Sequence, residues 1–175
     1  MKKSLTFFAD LVLLFLSLTV FFGCSAAKNI STEQVTNSDS LQSMINAHNF
    51  VFVPQFVNPV GISRRDVSGG NYDFTVKKDT VISYLPFFGR GYIAPLSPTD
   101  VDFDFTSTKF SYTILPAKHG WNISIKPADQ HYLHEFYFKV FNNGSASLTI
   151  TSIDRSSLSY DGYIAVKQIL SNRKK

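Results

Sequence analysis

From Tyr72 onward the chain changes side-chain character at every second residue, and this period of two constrains the fold more than any other feature. Tyr72, Phe74 and Val76 alternate with Asp73, Thr75 and Lys77; Val101, Phe103 and Phe105 with Asp102 and Asp104; Phe110, Tyr112 and Ile114 with Ser111 and Thr113. Further along, Trp121, Ile123 and Ile125 alternate with Asn122, Ser124 and Lys126, then Phe136, Phe138 and Val140 with Glu135, Tyr137 and Lys139, then Ala146, Leu148 and Ile150 with Ser147, Thr149 and Thr151. Successive side chains of a strand point to opposite faces, so each segment reads as a strand with one face on a core and the other in water. Between the last two, Asn142-Asn143-Gly144 supplies residues that tolerate positive φ, as a tight hairpin requires. Lys78-Asp79 turns another hairpin, joining Tyr72–Lys77 to Thr80–Leu85.

Phe50–Val57 and Tyr163–Ile169 are flanking strands, and Pro54, which has no N–H for a ladder, puts the first at an edge. Short strands at near-regular spacing with no helix between them predict an all-β domain, an antiparallel β-sandwich or small barrel of about 7 to 9 strands. Periodicity does not choose between these two. A short N-terminal helix precedes the strands, capped by Ser38 or Asp39 and running through Leu41, Met44, Ile45 and His48, spaced three and four apart. With aromatics at 15% of 175 residues, Phe 17 and Tyr 8, the chain has apolar surface for one well-filled core, and its length fits one domain.

The start of the chain carries an address. Met1-Lys2-Lys3 is followed by the apolar run Leu11–Phe22 and by Gly23-Cys24, the architecture of a secretory signal. The run is shorter than the roughly 20 apolar residues a spanning helix needs. A small residue followed by Cys resembles the lipobox of bacterial lipoproteins, in which the thiol takes a lipid and becomes the first residue, although Phe21 stands where Leu is usual. Residues 1–23 are then the signal peptide, 24–38 the lipidated Cys24 and a flexible polar tether, 39–170 the β-domain and 171–175 a basic tail. Cys24 is the sole cysteine, so the domain folds without a disulfide. Lys2, Lys3 and Asp10 leave with the signal, which lowers the net charge from +4 to +3. That excess is too small and scattered for a nucleic-acid partner.

Among residues with chemical potential, Tyr84-Leu-Pro-Phe-Phe-Gly-Arg-Gly-Tyr92 stands out. Tyr84, Phe87, Phe88 and Tyr92 around Arg90 suit a lip for a ligand or partner, because guanidinium stacks on rings and grips anions. The same rings suit a plug at one end of the core, the commoner use of clustered aromatics. His131, His134 and Glu135, with His119, offer metal-capable groups, but residues three apart on a strand face opposite ways and the spacing is not that of a helix-borne zinc site. Asp100, Asp102 and Asp104 lack the glycine of a calcium loop and read as the wet face of a strand. No nucleophile elbow, phosphate loop or dinucleotide fingerprint occurs, so neither a cofactor nor catalysis is expected.

Four ordered stretches carry a family likeness: Ser83–Tyr92, Phe141–Ile150, Asp154-Arg155-Ser156 and Ser159-Tyr-Asp-Gly162. Over roughly residues 45 to 168 they resemble a family of Bacteroidetes envelope proteins catalogued as domain of unknown function family 4251. The resemblance implies a lipoprotein with a β-rich domain and brings no established activity. It also draws attention to Asp39-Ser40-Leu41, similar to the Asp-Ser/Thr-aliphatic triplets that such bacteria O-glycosylate in exported proteins, which makes Ser40 a candidate glycan site.

The leading expectation is a lipid-anchored cell-envelope protein, on the periplasmic face of the outer membrane, with a non-catalytic binding or structural role toward another envelope component. The alternative is a small carrier holding a lipid or other apolar ligand inside a barrel, gated by Tyr84–Tyr92. A metal-dependent hydrolase using His131, His134 and Glu135 is a distant third.

Overall fold

The alternation written in the sequence becomes a ladder of antiparallel strands. The computed structural model describes residues 30–92 and 102–169; residues 1–23 and 24–29, read from the sequence as signal peptide, lipidated Cys24 and tether, lie outside the described residues, as do 93–101 and the basic tail at 171–175. The elements are β1 (Ile30–Gln34), α1 (Ser38–Asn46), β2 (Phe50–Pro59), β3 (Arg65–Asp66), β4 (Asp73–Lys77), β5 (Thr80–Leu85), β6 (Phe103–Ser107), β7 (Phe110–Ala117), β8 (Gly120–Pro127), β9 (Leu133–Phe141), β10 (Ser145–Ser152) and β11 (Leu158–Ile169).

Hydrogen bonding links nine strands in the order β6-β5-β4-β2-β11-β10-β9-β8-β7, with β1 added on β11 and β3 on β2. The two ends of this path, β6 and β7, are separated in the chain only by Thr108 and Lys109. The sheet therefore curls until its edges meet at that corner, and nearly closes into a barrel. Both expected hairpins form: Lys77 pairs with Thr80, and Gly144 turns β9 into β10 at φ +81. Positive φ is the reason glycine stands there.

Aromatic rings fill the inside. The Phe138 ring on β9 lies 6.0 Å from Phe50, 5.6 Å from Phe52 and 5.3 Å from Phe74, and Phe136 lies 4.9 Å from Phe74 and 5.5 Å from Phe105. Because β9 does not neighbour β2, β4 or β6 in the sheet, these contacts cross the interior from wall to wall. Each such ring pair adds roughly 0.5–1.5 kcal/mol to the area that it buries. The residues that the alternation places inward on β8, β9 and β10, including Ile123, Ile125, Phe136, Leu148 and Ile150, are fully buried. On α1, Leu41 and Ile45 enter the same core, while the Tyr112 hydroxyl donates to the Ile45 carbonyl at 3.1 Å.

Four boundaries differ from the sequence reading. Ile30–Gln34, read as tether, is strand β1: Ile30 pairs with Ile169 and Gln34 with Ala165, which satisfies the part of β11 that runs past the β9–β10 turn. β2, read as an edge, is interior, between β11 and β4. Pro54 is tolerated there because it faces Gly162 beside a register shift between Asp161 and Gly162, a bulge where the missing N–H breaks no regular pair. The α1 cap is Asn37, one residue before the expected pair, its Oδ1 accepting from the amides of Asp39 and Ser40. β11 begins at Leu158 instead of Tyr163.

Candidate functional site

After β5 the chain turns at Pro86 and meets the β10–β11 loop, Ile153 to Ser157, in a two-sided clamp. The Tyr92 amide donates to the Asp154 carbonyl at 2.7 Å, the Ser156 amide to the Arg90 carbonyl at 2.9 Å, and the Arg90 amide to the Ser156 Oγ at 3.2 Å. From below, the buried Tyr160 hydroxyl holds the Pro86 carbonyl at 2.7 Å; from the side, the Phe87 amide donates to Asp102 Oδ1 at 3.0 Å. Ser83–Tyr92, Asp154-Arg155-Ser156 and Ser159–Gly162, three of the stretches that carry the family likeness, thus come together in space.

At the clamp's centre, the Arg155 guanidinium grips Asp154 Oδ2 with Nε at 3.0 Å and Nη2 at 2.8 Å, and both side chains are mostly buried. Arg155 also lies over the rings of Phe87 and Phe103, each 5.2 Å from its centroid. Ser152 Oγ donates a further hydrogen bond to Asp154 Oδ1 and lies 2.8 Å from the Tyr132 carbonyl, beside the β8–β9 loop. Burial pushes the Asp154 carboxyl up, but the hydrogen bonds from Arg155 and Ser152 and the Arg155 charge outweigh it and hold the group below its ordinary value. The pair is therefore fixed in its ionised form. Beside it, Asp102, Asp104, Gln130 and Tyr132 line a cleft of about 110 Å³, room for a few waters and well under the roughly 300 Å³ of a small-molecule pocket.

The expected loop divides into two parts. Phe87 and Phe88 pack half-buried against the core, as a plug would, with Arg65 stacked 5.0 Å from the Phe88 ring. Arg90 is exposed, Tyr92 is 69% exposed, and Tyr84 turns outward against Tyr72 with ring centroids 5.3 Å apart. Ile153, 64% exposed, and Tyr132, 49% exposed, join Tyr92 at this end, linked by an Ile153 amide to Tyr132 carbonyl bond of 3.0 Å. Sequence reasoning did not find the Asp154–Arg155 pair as a site; its one signal was the Asp-Arg-Ser triplet in the family likeness.

The histidines do not converge. His131 lies exposed before β9, His134 is exposed at the strand's start, and His119 sits on the β7–β8 turn. Glu135 accepts from Ser124 Oγ and lies 3.9 Å from the Lys126 ammonium. Among the described residues no three His, Cys, Asp or Glu gather closely enough to hold a metal ion. Asp102 serves the Phe87 amide, and Ser40 is exposed in the first turn of α1. A second, shallow depression of about 400 Å³ lies at His119, Phe141, Asn142, Asn143 and Ser145, outside the barrel.

These features define a class: a small, nearly closed antiparallel β-barrel with a filled interior and one end built from interlocked loops. The domain family described as "Domain of unknown function (DUF4251)" matches residues 32–164, and the chain belongs to that family. The crystal structure of a DUF4251 family protein from Bacteroides eggerthii DSM 20697 has the same fold, with TM-score 0.57 and 16% identity over 79% of this chain and 93% of that one. No curated protein matches the sequence.

Proposed function

We propose that this is a lipid-anchored cell-envelope protein, held through Cys24 on the periplasmic face of the outer membrane, whose barrel has a non-catalytic binding or structural role. The observation that carries the anchoring is the apolar run Leu11–Phe22 ending at Gly23-Cys24, the chain's sole thiol. The filled interior supports a role for the outer surface: rings of Phe50, Phe74, Phe136 and Phe138 occupy the space a carried ligand would need. The polar groups of the loop end support a non-catalytic role, since Asp154 and Arg155 are spent on each other and on Ser152, Phe87 and Phe103. Partner contact is assigned to Tyr92, Tyr132 and Ile153, the exposed apolar groups of that end, since exposed aromatics commonly anchor interfaces.

Cell fractionation tests the reading. The wild-type chain is expected in the membrane fraction with an intact mass raised by acyl chains, and Cys24→Ala is expected to lose both properties. A wild-type chain recovered without acyl mass would overturn the anchoring. Hydrolysis of an ester, peptide or glycosidic substrate by the purified protein, abolished by changing one polar side chain, would overturn the non-catalytic role.

A further inference from the structure

Phe141 ends β9 with its ring 46% exposed, and the strand register leaves it uncovered. It faces away from the core, because its neighbour Val140 is buried, and its partner across the ladder on β8 is Gly120, which has no side chain to lay over it. Across the β9–β10 turn stands only the small Ser145. The bare ring lines the depression of about 400 Å³ together with His119, Asn142, Asn143 and Ser145.

Around that ring the backbone is fixed. The Asn142 amide donates to the His119 carbonyl at 3.1 Å, the Gly144 amide to the Phe141 carbonyl at 2.9 Å and the Gln34 side chain to the Asn143 carbonyl at 3.2 Å, so the β7–β8 turn, the β9–β10 turn and β1 form one platform. Asn143 Oδ1 accepts from the Ser145 amide at 3.1 Å and from the Ser145 hydroxyl at 2.7 Å, which orients the side chain and leaves its Nδ2 to donate elsewhere. His119, Asn142 and Asn143 are exposed. None of the five lining residues is an acid, a lysine or an arginine; Lys118 and Lys139, the bases nearest in sequence, are exposed outside the lining.

We propose that this depression binds a neutral glycan, with the Phe141 ring against the C–H face of a sugar and His119, Asn142, Asn143 and Ser145 hydrogen-bonded to its hydroxyls. A purely apolar chain would cover the amides and the imidazole without giving them partners, which is costly. A phosphate or carboxylate would find no cation in the lining to pair with. A sugar presents an apolar face beside hydroxyls that donate and accept at once, which matches a bare ring set among amide, imidazole and hydroxyl groups. Because the platform is held by backbone bonds, little ordering is left to oppose binding. The site lies at the other end of β9 from Tyr132, so it is separate from the contact surface of Tyr92, Tyr132 and Ile153 and does not depend on the anchor.

Purified full-length protein is passed over immobilised dextran, mannan, galactan, xylan and glycol chitin, all neutral polymers. Retention on at least one is expected, with elution by its free oligosaccharide and no release in about 1 M salt, where charges are screened beyond about 3 Å. Phe141→Ala is expected to weaken the retained interaction about tenfold, the size of a lost ring contact. Asn142→Ala, which keeps the backbone bond to His119, is expected to weaken it as well, and decides alone if Phe141→Ala misfolds. Val60→Ala, at a 73% exposed position just after β2, is expected to bind as wild type does. Failure to bind any of the polymers overturns the proposal, as does binding that both variants retain in full or that salt abolishes.

Discussion

The Tyr160 hydroxyl donates to the Pro86 carbonyl across 2.7 Å, 74 positions apart in the chain, with both residues buried. Burial, then the nearby Asp102 charge, pushes the Tyr160 phenol above its ordinary value, so it remains a donor throughout the accessible pH range. Tyr160→Phe keeps the ring and leaves a buried carbonyl without its donor, at a cost of about 1–3 kcal/mol. The expected result is a lower urea midpoint with an unchanged slope and faster amide exchange in residues 87–92. Unchanged exchange there would show that the bond does not hold the loop.

Acid should act through Asp154. Its folded-state value is depressed, so its contribution is present above the unfolded carboxylate value of about 3.9 and is lost as pH falls through the lower folded value. Asp154→Asn is therefore expected to be less stable than wild type near neutrality, and the gap should narrow toward pH 3. A gap that stays constant with pH would contradict the depressed value.

Removing the partner is expected to do more harm than removing charge as such. Arg155→Met leaves the Asp154 carboxylate mostly buried without its main donor, which typically costs about 3–5 kcal/mol. Thermal melts of the two single variants and the double variant should show strong non-additivity, with the double variant more stable than Arg155→Met.

Gly162 marks a close backbone approach. A Cβ there would sit 2.0 Å from the Val53 carbonyl oxygen, so β2 and β11 must separate, whereas a Cβ on Gly69 meets nothing within 4 Å. Gly162→Ala is expected to destabilise by at least about 1–3 kcal/mol and Gly69→Ala by less than about 0.5 kcal/mol. Chemical denaturation of the pair provides the comparison.

Two phenylalanines on β9 separate inside from outside. Phe138 is fully buried among Phe50, Phe52 and Phe74, while Phe141 is 46% exposed. Phe138→Ala is expected to cost about 3–5 kcal/mol, and Phe141→Ala a small fraction of that. Similar losses at both positions would mean that the ring cluster does not hold the barrel together.

The parts of this fold legible beforehand are those set by near neighbours in the chain. Phe136, Phe138 and Val140 announce their inward face by alternation, and Asn143-Gly144 and Lys78-Asp79 announce hairpins by turn chemistry. β1 carried no such mark, because Ser31-Thr32-Glu33-Gln34 is polar and its strand exists through backbone bonds to β11, more than 130 positions away. Pro54 misled for a related reason: a proline is costly in a regular ladder, and only the bulge at Gly162 on another strand makes it tolerable. Of the candidate site, the aromatic loop was visible and its partner was not. Nothing local joins Arg90 to Ser156, or Tyr92 to Asp154.

By itself the sequence determined the all-β class and the face each strand turns inward. Tertiary structure alone decided that the sheet curls into a nearly closed barrel with rings meeting across its interior, that β1 and β11 share an end, and that Asp154 and Arg155 lock the loop after β5. Alternation is a property of one strand's backbone, readable over a few residues. Closure and loop contact depend on which strands pair across the whole chain, and pairing is settled by the packed core they form together.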